Sequence, residues 1–166
     1  MKDTHLRILK AMSEATSRMD INVFAQSVDL TPNDVMAMFG QLETEGFLHK
    51  VGTGYSLTEK GKNALKISSQ VPEGKEFNFH VGEGKPLGFS AHSLEEFYRL
   101  IKVVTSDALE FHLYRRDFEN WIRDVIGDRQ LPLDISGVRG ASLKGEDLRK
   151  GLLRAIDLRY GVGELL

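Results

Sequence analysis

The sequence has no cysteine among its 166 residues, which excludes disulfide staples, thiolate metal sites and cysteine nucleophiles. It lacks any apolar run near the roughly 18–20 residues of a membrane span. No charged-then-apolar stretch reads as a signal peptide, and residues 1–10 are already amphipathic, so they are expected to belong to the fold. An excess of charge is missing too. The 22 basic residues face 24 acidic ones, for a net charge of −2, which argues against bulk electrostatic capture of nucleic acid. What is present, at 41% hydrophobic residues, is enough to bury a core in one domain or two small ones. The expectation is a soluble, cytoplasmic protein with no membrane partner, cofactor or metal.

Breakers cluster at Ser68-Ser69-Gln70-Val71-Pro72-Glu73-Gly74-Lys75, with no apolar period. This divides the chain into residues 1–68, a linker over 69–76, and residues 77–166. The first part carries 8 basic and 8 acidic residues, the remainder 14 and 16. Neither has internal repeats or low-complexity tracts.

The first part reads as three helices, a hairpin and a fourth helix. Asp3 or Thr4 starts a helix burying Leu6, Leu9 and Met12, with Ile8 beside them. Asp20 caps a second helix that buries Ile21, Phe24, Ala25 and Val28. Thr31 caps a third, with Pro32 at its first position and Asp34 favouring its N-terminus. That helix buries Val35, Met38, Phe39 and Leu42 and ends at Gly46. Residues 47–51 form a strand, Gly52-Thr53-Gly54 a turn and Tyr55-Ser56-Leu57 the return strand. Thr58 then caps a short helix.

The ordered set Phe24-Ala25, Leu30-Thr31-Pro32, Val35, Leu42-Glu43, Gly46-Phe47-Leu48 and Gly54-Tyr55-Ser56-Leu57-Thr58-Glu59-Lys60-Gly61 resembles a winged helix-turn-helix domain of archaeal and bacterial transcription regulators. The likeness spans residues 3–67. It implies that the third helix enters a DNA major groove N-terminus first. Thr31 and Asn33 then reach phosphate, while Ala37, Gln41 and Thr44 face the groove and Gln41 pairs with an adenine edge. Lys50 and Thr53 on the wing contact backbone or minor groove. Lys60 and Lys62, with Arg18 and Lys66, add phosphate contacts. Against this stands a third helix with no Lys or Arg between Thr31 and Glu45. A protein-contact adaptor therefore remains the alternative.

The second part reads as one short strand, Phe77 to Val81, and a Gly-rich loop over 82–88 without phosphate-loop spacing. Ser93 with Glu96 forms a capping box for a helix burying Leu94, Phe97, Leu100, Ile101 and Val104. Ser106 starts the next helix, and Asp117 caps another that buries Phe118, Trp121, Ile122 and Val125. Pro132 predicts a short or irregular segment over 131–135, and a last helix runs through 142–160. The segments Ala91-His92-Ser93-Leu94-Glu95-Glu96-Phe97, Glu110-Phe111-His112-Leu113-Tyr114-Arg115, Asp117-Phe118, Trp121-Ile122 and Gly127-Asp128 resemble, over about residues 85–160, a mostly helical domain of archaeal and bacterial proteins of unassigned function. That likeness imports no activity.

Two uses of this second part stay open. His92, His112, Arg115, Arg116 and Asp117 can hold a small anion or acidic metabolite, with His112 beside Asp117 as a general base in an enzymatic variant. Alternatively, His112 and Asp117 satisfy backbone groups at a helix junction and Arg115 pairs with Glu110 or Glu119. Widely spaced His80, His92 and His112 lack a metal-binding pattern. The expected fold is mostly α (α+β). The expected protein is a non-enzymatic DNA-binding regulator. Its partners are double-stranded DNA, a second copy of itself through the last helix and Val162, Leu165 and Leu166, and a small-molecule effector.

Overall fold

Side-chain caps set helix starts in both parts of the chain. In the computed structural model, which describes residues 3–15 and 20–165 (164 and 165 by backbone alone), Asp20 accepts from Asn22 N at 2.8 Å. Thr31 accepts from Asp34 N at 3.2 Å, Thr58 from Gly61 N at 3.1 Å and Ser93 from Glu96 N at 3.1 Å. Each such cap satisfies an orphan donor and stabilises its helix by about 1 kcal/mol. The Glu96 carboxylate reaches back to His92 N at 2.7 Å, one residue before the cap. The chain is mostly α with two small antiparallel sheets. Among the described residues, no helix is long and apolar enough to cross a membrane.

Contacts divide the chain between Lys66 and Ile67. The first unit runs α1 (Asp3–Glu14), α2 (Ile21–Ser27), α3 (Pro32–Thr44), β1 (Leu48–Val51), β2 (Gly54–Leu57) and α4 (Glu59–Ser68), whose last two residues lie past the division. β1 and β2 pair with Leu48 opposite Leu57 and Val51 opposite Gly54, leaving a two-residue loop. Its first residue, Gly52, has φ +62°, where glycine carries no Cβ penalty. Phe24 and Phe39 join α2 to α3 at 5.4 Å, and Phe39 meets Tyr55 of β2 at 5.0 Å. Ala25 is buried where α2 packs on α3. The buried stripe of α1 is His5, Ile8 and Leu9, rotated from the predicted one, so Leu6 and Met12 are only half-buried. Ile21 and Met38, expected inside, are also half-buried.

The second unit begins at Ile67, so the segment read as a linker lies on it. Val71 N donates to His92 O at 2.8 Å and the Trp121 indole to Lys75 O at 2.7 Å. It comprises β3 (Phe77–Gly82), β4 (Lys85–Ala91), α5 (Leu94–Val103), α6 (Ser106–Tyr114), α7 (Asp117–Trp121), one π-helical turn (Ile122–Ile126), α8 (Leu131–Gly140), α9 (Gly145–Tyr160) and α10 (Val162–Leu165). β4 corrects the expected Gly-rich loop. Pro86 is tolerated opposite His80 because the ladder is irregular on both sides of that pair. α8 corrects the irregular segment expected at Pro132: proline in a first turn removes no intrahelical bond. Asp117 is the first residue of α7, and Arg116, with φ +65°, occupies the cap position instead.

Phe77 and Phe79 of β3 meet Phe97 of α5, Phe118 of α7 and His112 of α6. At the other end of the unit, Asp128 is 2% exposed and accepts from Gln130 N at 2.8 Å, Leu131 N at 3.2 Å, Arg159 Nε at 3.1 Å and the Tyr160 hydroxyl. Burial pushes its carboxyl up, but these four bonds outweigh burial and bring it down to about 2. One ionised side chain thereby fastens the start of α8 to the end of α9. Arg149 of α9 similarly caps the end of α5, donating to Ile101 O at 2.6 Å and Val104 O at 2.7 Å.

Two glycines of the first unit have opposite expected responses. A Cβ at Gly61 would lie 2.4 Å from Phe47 O, whereas one at Gly40 would meet nothing within 4 Å. Gly61→Ala is therefore expected to destabilise by about 1–3 kcal/mol and Gly40→Ala to stabilise by about 0.5–1 kcal/mol, as read by urea denaturation. A neutral Gly61→Ala would show that α4 does not sit against Phe47.

Candidate functional site

In the first unit, α3 turns one uncharged strip outward. Asn33, Ala37, Gln41 and Thr44 are exposed with Met36, and Gly40 is half-buried. Several of these groups are already engaged. The Thr31 hydroxyl donates to Asp34 Oδ2 at 2.8 Å while it caps the helix, which places a carboxylate where a phosphate was expected. Gln41 donates to Glu45 Oε1 at 2.9 Å, and Thr44 to Gly40 O at 2.9 Å. Lys60 donates to Glu45 O at 2.9 Å with its ammonium 4.7 Å from the Phe47 ring, so it closes the C-terminus of α3. Lys62 pairs with Glu59 at 3.1 Å on an open surface. Lys50 stands exposed on β1 opposite Tyr55, and Thr53 is exposed in the hairpin loop. Arg18 lies outside the described residues, as do the side chains of Leu165 and Leu166.

An apolar groove of about 640 Å³ beside this strip was not foreseen. Met12, Phe24, Met36, Phe39, Val51 and Tyr55 line it, and Met36 and Val51 are 51% and 56% exposed. The period of α3 places Met36 outward, but only the hairpin's position brings Val51 next to it.

In the second unit, β3 and α6 flank a cleft of about 330 Å³ lined by His80, His112, Arg115 and Asp117, with Phe111 and the Gly82-Glu83-Gly84 turn. His112 is 3% exposed and both its ring nitrogens are committed. Nε2 accepts from His80 N at 2.8 Å, so it carries no proton, and Nδ1–H donates to Asp117 Oδ2 at 2.9 Å. Burial holds its pKa below the ordinary 6.5, against the pull of the Asp117 carboxylate. A ring with no free lone pair cannot accept a substrate proton, so His112 is not placed as a general base.

Arg115 pairs with neither Glu110 nor Glu119. Glu119 takes Arg139, Glu110 accepts from Gly145 N at 3.2 Å, and Arg115 Nε turns to Asp117 Oδ2 at 3.6 Å. His92 is apart from this group, bound to Glu96 at 3.0 Å, and Arg116 is exposed at the cap of α7. The sequence reading weighed His80 only as a metal ligand and missed Glu76 and Glu83. Their one signal was position around β3, at alternate residues or just beyond its ends. No group of His, Asp and Glu among the described residues is arranged to hold a metal ion.

Comparison with known proteins adds no assignment: no family model, curated protein or solved structure matches this chain.

His112 gives the second unit a pH dependence of definite sign. Because its folded pKa is the lower one, the unfolded chain takes up the proton first. The stability contributed by neutral His112 is therefore complete above 6.5 and is lost as pH falls from there through the lower folded value. Urea midpoints are expected to fall between about pH 7.5 and about pH 5.5, and to fall less in His112→Gln. Equal slopes in the two proteins would show that His112 is not held neutral.

Proposed function

We propose that this chain is a DNA-binding regulator whose first unit acts as a winged helix-turn-helix. It works as a homodimer, with the second unit dimerising or sensing an effector. The observation that carries this reading is the order of elements around α3: a capped helix, preceded by α2 across a short turn and followed by a two-residue hairpin. It leaves the strip of Asn33, Ala37, Gln41 and Thr44 and the hairpin residues Lys50 and Thr53 exposed. In this arrangement α3 lies in the major groove and the hairpin tip reaches the flanking backbone or minor groove. Amide side chains at Asn33 and Gln41 suit adenine edges, with Gln41 first releasing Glu45. The second unit would set the spacing of two such helices, about 34 Å for half-sites one turn apart.

The charge distribution sets the expected strength. Lys60 and Lys62 are engaged within the unit, and Asp34 sits at the N-terminus of α3. Phosphate neutralisation therefore rests on few cations per monomer, and two copies are needed for useful affinity. A second reading, a protein-contact adaptor, is favoured by the apolar groove next to an α3 that has no basic residue.

Fluorescence anisotropy of the full chain against random duplex tests the proposal. Binding is expected at ~50 mM salt, with a log–log salt slope of a few units. Lys50→Glu should weaken it without changing the melting temperature and should reduce the slope by about 1 or more. No binding at ~50 mM salt would sink the DNA reading and leave the adaptor.

A further inference from the structure

The second unit closes most of its arginines on acids. Arg139 meets Glu119, Arg149 meets Glu146 and Arg159 meets Asp128. In the cleft between β3 and α6 the corresponding pair engages Arg115 through one nitrogen alone. The Arg115 guanidinium lies 4.7 Å from the Phe111 ring centre, and its Nε turns to Asp117. Its two terminal nitrogens have no partner among the described residues, and neither has Asp117 Oδ1. His80, which lines the cleft, donates from Nδ1 to Asn78 O at 3.0 Å, which leaves Nε2 without a hydrogen-bond partner among the described residues. Glu76 and Glu83, just beyond the two ends of β3, line the same cleft without an ion pair among the described residues.

These groups select a ligand by charge and shape. A guanidinium seated over an aromatic ring, with its Nε already directed to a carboxylate, is placed to offer its two terminal donors to a ligand carboxylate. Asp117 Oδ1, on the residue that orients the fork, is an acceptor for an ammonium close to that carboxylate. An anion alone would also face Glu76 and Glu83, and repulsion would oppose it. A diamine alone would leave the Arg115 fork unused. The volume, near the lower end of the ~300–1,000 Å³ usual for small-ligand sites, excludes a nucleotide-sized molecule more readily than a metabolite.

We propose that this cleft binds a free basic amino acid. Its α-carboxylate lies on the Arg115 fork, its α-ammonium on Asp117 Oδ1, and its side-chain cation runs along β3 to Glu76 or Glu83. This site gives the effector-sensing part of the proposed function a ligand class. Its occupancy is measured without DNA, so it stands or fails separately from DNA binding.

Isothermal titration of the full chain with L-lysine, L-arginine, L-norleucine and cadaverine separates the contributions. Lysine or arginine is expected to bind. Norleucine, which lacks the side-chain cation, and cadaverine, which lacks the carboxylate, should each bind about tenfold more weakly or worse. Arg115→Lys keeps the charge but loses the fork and should weaken lysine binding by about tenfold. Glu76→Gln with Glu83→Gln should bring lysine down to the affinity of norleucine. Arg115 is half-exposed, and unchanged melting of its variant checks that it folds. No binding by either basic amino acid overturns the proposal. So does cadaverine binding as well as lysine, norleucine binding as well as lysine, or an Arg115→Lys variant of unchanged affinity.

Discussion

A neutral, buried histidine holds the second unit together where its strand meets its helix. β3 has one partner strand, so some of its backbone groups must be satisfied from elsewhere. His112 Nε2 takes the His80 N–H, and its other nitrogen is fixed by Asp117 at the start of α7. Three elements are joined by one ring, which packs at 4.8 Å against Phe77 and 5.5 Å against Phe118. Protonation would set an N–H against an N–H, so the contact exists only for the neutral ring. The same geometry that removes His112 from proton transfer also places Asp117 beside Arg115 and leaves an open cleft above them.

The two units treat charge differently. In the first, cations close local structure: Lys60 caps the last turn of α3 and Lys62 pairs with its neighbour Glu59. The outward face of α3 is left polar, without a basic residue, beside an apolar groove. In the second, buried or half-buried ion pairs join elements distant in sequence, with Asp128 tying α8 to α9 and Glu119 of α7 tied to Arg139 of α8. The cleft between β3 and α6 holds Glu76 and Glu83 without an ion pair among the described residues. A balanced net charge of −2 thus covers two arrangements that composition alone does not distinguish.

Local rules made several features legible in advance. Asp20, Thr31, Thr58 and Ser93 cap where spacing to the next helix said they would, because a cap depends on the next three residues alone. The hairpin was readable from glycine at its turn. The face of α1 was not, since Leu6 and Met12 are apolar yet only half-buried and His5 is polar yet buried. β4 was hidden by Gly84, Pro86 and Gly88, which read as a loop until an irregular ladder accommodates them. Glu119's true partner is 20 residues away, beyond the reach of helical spacing.

By itself the sequence determined the caps, most helices, the first hairpin and the exclusion of cysteine chemistry, since these follow from neighbouring residues and counts. It also named His112, Arg115 and Asp117 as a chemical group, because all three fall within six consecutive residues. Tertiary structure decided their roles. It brought His80 onto His112, turned Arg115 onto Phe111 and Asp117, removed His92, and added Glu76 and Glu83 from around β3. Which lone pairs are free is a property of distances between elements, and no spacing along the chain encodes it.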